Sequence, residues 1–238
     1  MQPVDKDADY YNERWGSFQY ANLYGLERCV FILNAIRLIE LNSPRICDLG
    51  CGAGWLTGIL SALGPTVGVD LSPIAVERAA ALYPRAQFVC ADATRWQPDA
   101  GTFDIVVSQE VLEHVRNKTD YLGVVYRALR PGGHLIMTTP NLNVLNSIPA
   151  EVRKAVWEIQ PVEMPVTPRQ LHDLLRECGF QVIYRGSVVP GCGKLGFQRL
   201  LNSHKLNLAL STIGLRDAWR NLRGWSGYGM YLTSVARK

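Results

Sequence analysis

The stretch ICDLGCGAGWLTGIL, residues 46–60, decides how the chain is read. A short apolar run ends in an acid, three glycines follow at alternate positions, and a helix-period pattern closes the segment. Strand, glycine-rich turn and helix in that order make a cradle for a nucleotide. Which nucleotide is a question of charge, because Asp48 stands two residues before Gly50, where a pyrophosphate would have to approach.

Working outward, strands and helices alternate. RICDL (45–49), TVGVD (66–70), AQFVC (86–90), FDIVVS (103–108), HLIMTT (134–139), QVIYRGSVV (181–189) and GMYLTSVAR (229–237) read as seven strands. Helices are expected over 26–42, 53–64, 72–83, 117–130 and 167–180. In the second of these, Leu56, Ile59, Leu60 and Leu63 share a face. Ser72 with Pro73, and Thr167 with Pro168, are N-cap and first-turn pairs, and Gly179 is a stop. This alternation predicts an α/β fold: a Rossmann-like, doubly wound, mostly parallel sheet with helices on both faces. Residues 1–44 read as an N-terminal helical or flap segment and 45–190 as the nucleotide-binding core. Residues 191–226 form a basic amphipathic insertion, and 227–238 return as the last strand of the sheet. Ligands of such sheets lie outside the carboxyl ends of the strands, so the long loop 140–166 is a candidate lid.

At 238 residues and 47% hydrophobic, the chain is long and apolar enough for one sizeable buried core. No stretch is long and apolar enough to span a bilayer, and MQPVDKDADYYNERW is too polar for a signal peptide. Cys29, Cys47, Cys51, Cys90, Cys178 and Cys192 are scattered without a metal-ligand spacing, which favours reduced thiols and a cytoplasmic setting. The net charge of +4 divides unevenly: residues 192–238 carry +7 and the rest −3. The basic insertion, with Leu200, Leu210, Trp219 and Trp225 among its arginines and lysines, suggests peripheral contact with the inner membrane face or with an anionic acceptor. No nucleic-acid reading module accompanies these charges.

The turn is GxGxG, with Trp55 where a dinucleotide fingerprint would have its third glycine. Asp70 and Asp92 follow at the ends of the next two strands. Three carboxylates along one sheet edge oppose a pyrophosphate and favour a phosphate-free, cationic adenosine derivative. S-adenosylmethionine (SAM) has that makeup. Asp70 is suited to the ribose hydroxyls and Asp92 to the adenine amino group, with Leu71 and Ala93 as apolar walls.

DLGCGAG (48–54), VGVDLS (67–72), CADAT (90–94), FDIVVSQEVLEHV (103–115) and LRPGGHLIMTTPN (129–141) together resemble the class I SAM-dependent methyltransferases, over roughly residues 45–190. The resemblance implies a seven-stranded sheet whose last strand is antiparallel. It implies that Asp48, Gly50, Cys51, Gly52 and Gly54 line the methionine end of SAM, that Asp70 and Leu71 hold the ribose, and that Asp92 and Ala93 hold the adenine. Gln109 and Glu110 would lie under the cofactor. VLEHV and PGGHLIMTTPN resemble the ubiquinone-biosynthesis O-methyltransferases, and equally enzymes of polysaccharide and natural-product pathways. Some ubiquinone-type enzymes hold a divalent metal through an acid-acid-histidine set like Glu110, Glu113 and His114, three residues that would share one helical face. The same letters occur in relatives with no metal requirement, and no metal is assigned here.

The function expected is methyl transfer from SAM to a small-molecule, glycan-linked or lipid-linked acceptor, at oxygen or nitrogen. A ubiquinone-type phenol O-methyltransferase is the nearest alternative. A non-catalytic SAM-binding scaffold and a nucleotide-dependent dehydrogenase are readings from other classes. A hydroxyl acceptor needs a general base, for which His114, Glu110 and Glu163 are the candidates. Tyr10, Tyr11 and Trp15 are placed to close over the cofactor, Trp157 to pack on the acceptor, and Arg14 to meet the methionine carboxylate.

Overall fold

Every residue of Ile46–Leu49 is buried, as a strand covered on both faces requires. This strand, β1, lies inside the sheet, flanked on both sides. The computed structural model describes residues 9–14, 23–149, 151, 160–190, 209, 210, 212, 215 and 229–238. Along them run α1 (Leu23–Ile39), β1, α2 (Trp55–Leu60), β2 (Thr66–Asp70), α3 (Pro73–Leu82), β3 (Gln87–Cys90) and β4 (Phe103–Gln109). There follow α4 (Lys118–Ala128), β5 (Leu129–Pro140), α5 (Leu142–Ser147), α6 (Pro168–Glu177), β6 (Gln181–Pro190) and β7 (Gly229–Arg237). Trp15, Trp157, Cys192 and most of 191–226 lie outside the described residues.

The strands form one sheet in the order β3-β2-β1-β4-β5-β7-β6. β3, β2, β1, β4 and β5 are parallel, and β7 runs antiparallel to both of its neighbours. The fold expected from the sequence is therefore the fold observed. Strand order reverses between β1 and β4, and the crevice above such a switch point is where ligands bind in this architecture.

Side chains alternate across the sheet. Cys47, Val106, Leu135 and Met137 face one core with Tyr121, Leu122 and Val125 of α4 and Leu171 and Leu175 of α6. Ile46, Ile105, Val107 and Ile136 face the other, with Cys29, Ile32, Ala35 and Ile36 of α1 and Leu56 and Leu60 of α2. Leu60 and Ile32 are wholly buried, and truncating such a side chain to alanine costs ~2–5 kcal/mol.

Three expectations are corrected. α2 is six residues long, opened by Gly54 at φ 79°, and it buries Leu56, Thr57 and Leu60, while Ile59 and Leu63 stay exposed. The helix expected over 117–130 stops at Ala128, because Leu129 is extended and already pairs with Phe103. The register then jumps to Ile105 opposite His134, so Pro131, Gly132 and Gly133 make a bulge inside β5, which begins before the strand expected at His134. Finally, VLEHV holds only a single 3-10 turn, Leu112–His114, and Glu110 has φ 58°, so Glu110, Glu113 and His114 do not lie along one α-helical face.

Candidate cofactor and acceptor site

Above the β1–β4 switch point lies a cavity of about 480 Å³. Its wall is built by the ends of β1, β2, β3 and β4 and by the residues after them. Asp48, Gly50, Cys51, Asp70, Leu71, Asp92, Ala93, Gln109, Glu110 and His114 line it. Of the sequence candidates, Gly52, Gly54 and Glu163 do not.

Gly52 and Gly54 shape the turn behind the wall. Gly50, Gly52 and Gly54 have φ of 83°, 52° and 79°, the left-handed region that favours glycine. At Gly50 a second reason applies: a Cβ would overlap Cγ2 of Val111, the residue that follows Glu110. The bare Cα lets the β4 loop close onto the β1 turn.

The three strand-end acids are held differently. Asp48 is buried, and Oδ2 accepts a hydrogen bond from the hydroxyl of Thr57 on α2 at 2.6 Å. Burial pushes its carboxyl up to about 7, with the neighbouring Asp70 adding to the rise and the Thr57 bond opposing it. Asp70 accepts from the Gly52 amide at 2.7 Å and the Ser72 amide at 3.0 Å, so it props the glycine turn it faces. Burial raises it too, against these amide bonds. Each carboxylate oxygen can accept more than one hydrogen bond, so Asp70 keeps capacity for a diol. Asp92 accepts from the amide and hydroxyl of Thr94 at 2.8 and 2.7 Å through Oδ1, and its Oδ2 lies 3.9 Å from Nε of the exposed Arg95.

Opposite these acids stands a residue that sequence reasoning missed. Arg28, on α1, is only 8% exposed and lines the cavity. Its guanidinium lies 4.2 Å from the centroid of the Tyr231 ring, and its Nε is 3.9 Å from Oε1 of Glu110. Nε and Nη1 have no hydrogen-bond partner within the protein. Its signal was visible as one arginine in the apolar run LERCVFIL. Arg14, the sequence candidate for the same task, also lines the cavity and donates to the Tyr10 hydroxyl at 3.4 Å.

Glu110 accepts from the Thr138 hydroxyl at 3.0 Å. Burial pushes its carboxyl up to about 8 even though Arg28 pulls the other way. Oε1 of Gln109 is buried without a partner. These groups fit SAM: carboxylates for its ammonium and ribose, a guanidinium with two spare nitrogens for its carboxylate, and no phosphate to oppose Asp48.

The far end of the cavity is built around His114. Its Nδ1 lies 2.7 Å from the carbonyl oxygen of Val162, and because a carbonyl only accepts, Nδ1 carries the proton. Neutral His114 therefore presents the lone pair of Nε2. The Met164 amide donates to the Glu113 carbonyl at 2.8 Å, so 162–164 is clamped to the Leu112–His114 turn from both sides. Tyr11 packs edge-on to His114, and its hydroxyl donates to Gln160 at 3.2 Å, which roofs this end. Among the described residues no group of three His, Cys, Asp or Glu is placed to hold a metal ion. No described helix is long and apolar enough to cross a membrane.

Comparison with known proteins identifies the family and the fold. Residues 24–185 match the family described as "Methyltransferase domain". The mitochondrial ubiquinone biosynthesis O-methyltransferase of Rattus norvegicus is 34% identical over 60% of this chain and 46% of its own length. The ubiquinone biosynthesis O-methyltransferase of Xanthomonas euvesicatoria is 33% identical over 75% of this chain and 80% of its own length. The chain thus spans about half the length of the rat relative and most of the bacterial one. Among solved structures, the N-methyltransferase NodS of Bradyrhizobium japonicum in complex with S-adenosyl-L-homocysteine has a TM-score of 0.65 at 17% identity, covering 98% of each chain, a likeness of fold.

Proposed function

This chain belongs to the class I SAM-dependent methyltransferase family, and on that premise we propose that it methylates a hydroxyl oxygen, a phenol or catechol being the acceptor that fits best. The observation that carries the reading is His114, whose Nδ1–H is committed to the Val162 carbonyl at 2.7 Å and whose Nε2 is left to take a proton. An amine acceptor in its free base form needs no such group, whereas a hydroxyl does. The two ubiquinone biosynthesis relatives, both O-methyltransferases, support the same choice.

SAM, when bound, supplies a methyl group already activated by its sulfonium. The protein's work is then mainly alignment. Arg28 receives the methionine carboxylate on its two spare nitrogens, and Asp48, Gly50 and Cys51 border the methionine end. Asp70 accepts from the ribose, while Leu71, Asp92 and Ala93 frame the base, and Gln109 and Glu110 lie beneath. His114 accepts the hydroxyl proton on Nε2 as the acceptor oxygen becomes an ether. Glu163 is not given a part, because it lies outside the cavity wall. A small or lipid-linked acceptor is proposed, with residues 191–226 as a peripheral contact to an anionic membrane. Equal sedimentation with neutral and anionic vesicles would remove that membrane contact from the reading.

The test offers methyl-labelled SAM with 3,4-dihydroxybenzoate or with ethanolamine as acceptor. Label is expected in the catechol and not in the amine, with His114→Ala slowing transfer by about 10²- to 10⁴-fold to a low but measurable rate. Label in ethanolamine, undiminished in His114→Ala, would overturn hydroxyl methylation.

A further inference from the structure

Glu113 has a use that the reading above leaves unassigned. Its side chain is only 2% exposed, set behind His114 on the single turn after β4. Oε2 accepts from the hydroxyl of Thr139, itself wholly buried on β5, at 2.9 Å. Oε1 faces Nε2 of His114 at 3.7 Å. That separation is too long for a hydrogen bond, so the Nε2 lone pair is not consumed. It is short enough for a strong Coulomb interaction in a site shielded from water.

Glutamine would satisfy the Thr139 hydroxyl equally well and would spare the cost of burying a charge. What a carboxylate adds is a negative charge, and the question is which cation it serves. Arg28 and Lys118 both act on Glu113 through space, but the Arg28 guanidinium lies beside Glu110, at 3.9 Å, and the Lys118 ammonium donates to the Val115 carbonyl at 2.8 Å. The ring of His114 is the group that Oε1 faces.

We propose that Glu113 is a positioning residue for His114: fixed by Thr139, its carboxylate stabilises the imidazolium formed when Nε2 takes the acceptor's proton. This rests on His114 acting as the base. The ring is thus held at both nitrogens, by the Val162 carbonyl on Nδ1 and by the Glu113 field on Nε2. Burial pushes the Glu113 carboxyl up to about 7, so the ionised form is populated at neutral pH and above.

The experiment is a double-mutant cycle on the full chain, with labelled SAM and 3,4-dihydroxybenzoate as the probe acceptor. Glu113→Gln should lower kcat by about 10- to 100-fold, within the range that proton-transfer catalysis contributes, with KM for the catechol and Kd for SAM little changed. In a His114→Ala background the same substitution should have no further effect, because the group it acts through is gone. A merely structural glutamate would give equal losses in both backgrounds. Full activity in Glu113→Gln, or losses that add, overturns the proposal. Should Glu113→Gln fail to fold, Thr139→Val frees the carboxylate from its donor and is expected to show a smaller kcat loss with the same non-additivity; additive losses there count against it equally. A fully active His114→Ala enzyme would sink the base assignment and this inference together, whereas a slowed His114→Ala beside a fully active Glu113→Gln would sink this inference alone.

Discussion

The Nδ1 of His114 lies 2.7 Å from the carbonyl oxygen of Val162, a bond between the turn after β4 and the end of the long loop before α6. It joins a candidate catalytic ring to the segment that closes the acceptor end. In long-range proton–nitrogen spectra of the ring, His114 is expected to appear as the Nδ1-protonated tautomer when neutral. An Nε2-protonated ring would mean that the Val162 carbonyl does not hold it, and the base would be aimed the wrong way.

Gly50 makes a sharper packing prediction. Alanine there takes on left-handed strain at φ 83° and meets Cγ2 of Val111. Gly50→Ala should lose about 2–4 kcal/mol in denaturant unfolding, together with SAM binding. Adding Val111→Ala should restore part of the stability, because it removes the overlap and leaves the backbone strain. Wild-type stability in the single variant would mean that the β4 loop does not close on the turn as described.

Three carboxyls raised by desolvation make the ligand-free protein sensitive to alkali. Burial raises Asp48 to about 7, Glu113 to about 7 and Glu110 to about 8. A carboxyl whose folded value exceeds its unfolded value binds more protons when folded, so stability falls as pH rises between the two. Their contribution is unpenalised below the ordinary carboxylate range, declines from there to about pH 8, and is flat beyond. The melting temperature without ligand should therefore drop from about pH 6 to about pH 8.5, and Glu110→Gln should flatten that drop. A slope unchanged in Glu110→Gln would show that Glu110 is not a protonated buried acid.

Much of this was legible before the structure, and what was missed has physical reasons. The strand, turn and helix of residues 46–60 read correctly because local pattern and tertiary demand agree there. Sequence order alone brought Asp48, Asp70 and Asp92 to one edge, and all three line the cavity. Periodicity failed for Leu63 because α2 ends at Leu60, and for Ile59 because the buried side of the helix is Leu56, Thr57 and Leu60. It failed for Glu110 because a left-handed residue breaks the spacing that would have aligned it with Glu113 and His114. Arg28 was hidden by its distance along the chain: nothing in residues 23–39 tells that Tyr231, some two hundred residues later, lies under its guanidinium. The early start of β5 was hidden because proline and glycine serve a bulge inside a strand as readily as a break before one.

The claim on which the rest depends is that strand-end carboxylates hold SAM. Calorimetric titration of SAM into Asp70→Asn beside the native chain tests it most directly, since asparagine removes the charge and keeps an acceptor oxygen for one of the two amides, Gly52 or Ser72, that Asp70 holds. Losing charged hydrogen bonds worth ~1.5–3 kcal/mol each predicts an affinity at least about tenfold weaker, in a variant that circular dichroism shows to be folded at the titration temperature. Native affinity in Asp70→Asn would contradict the account.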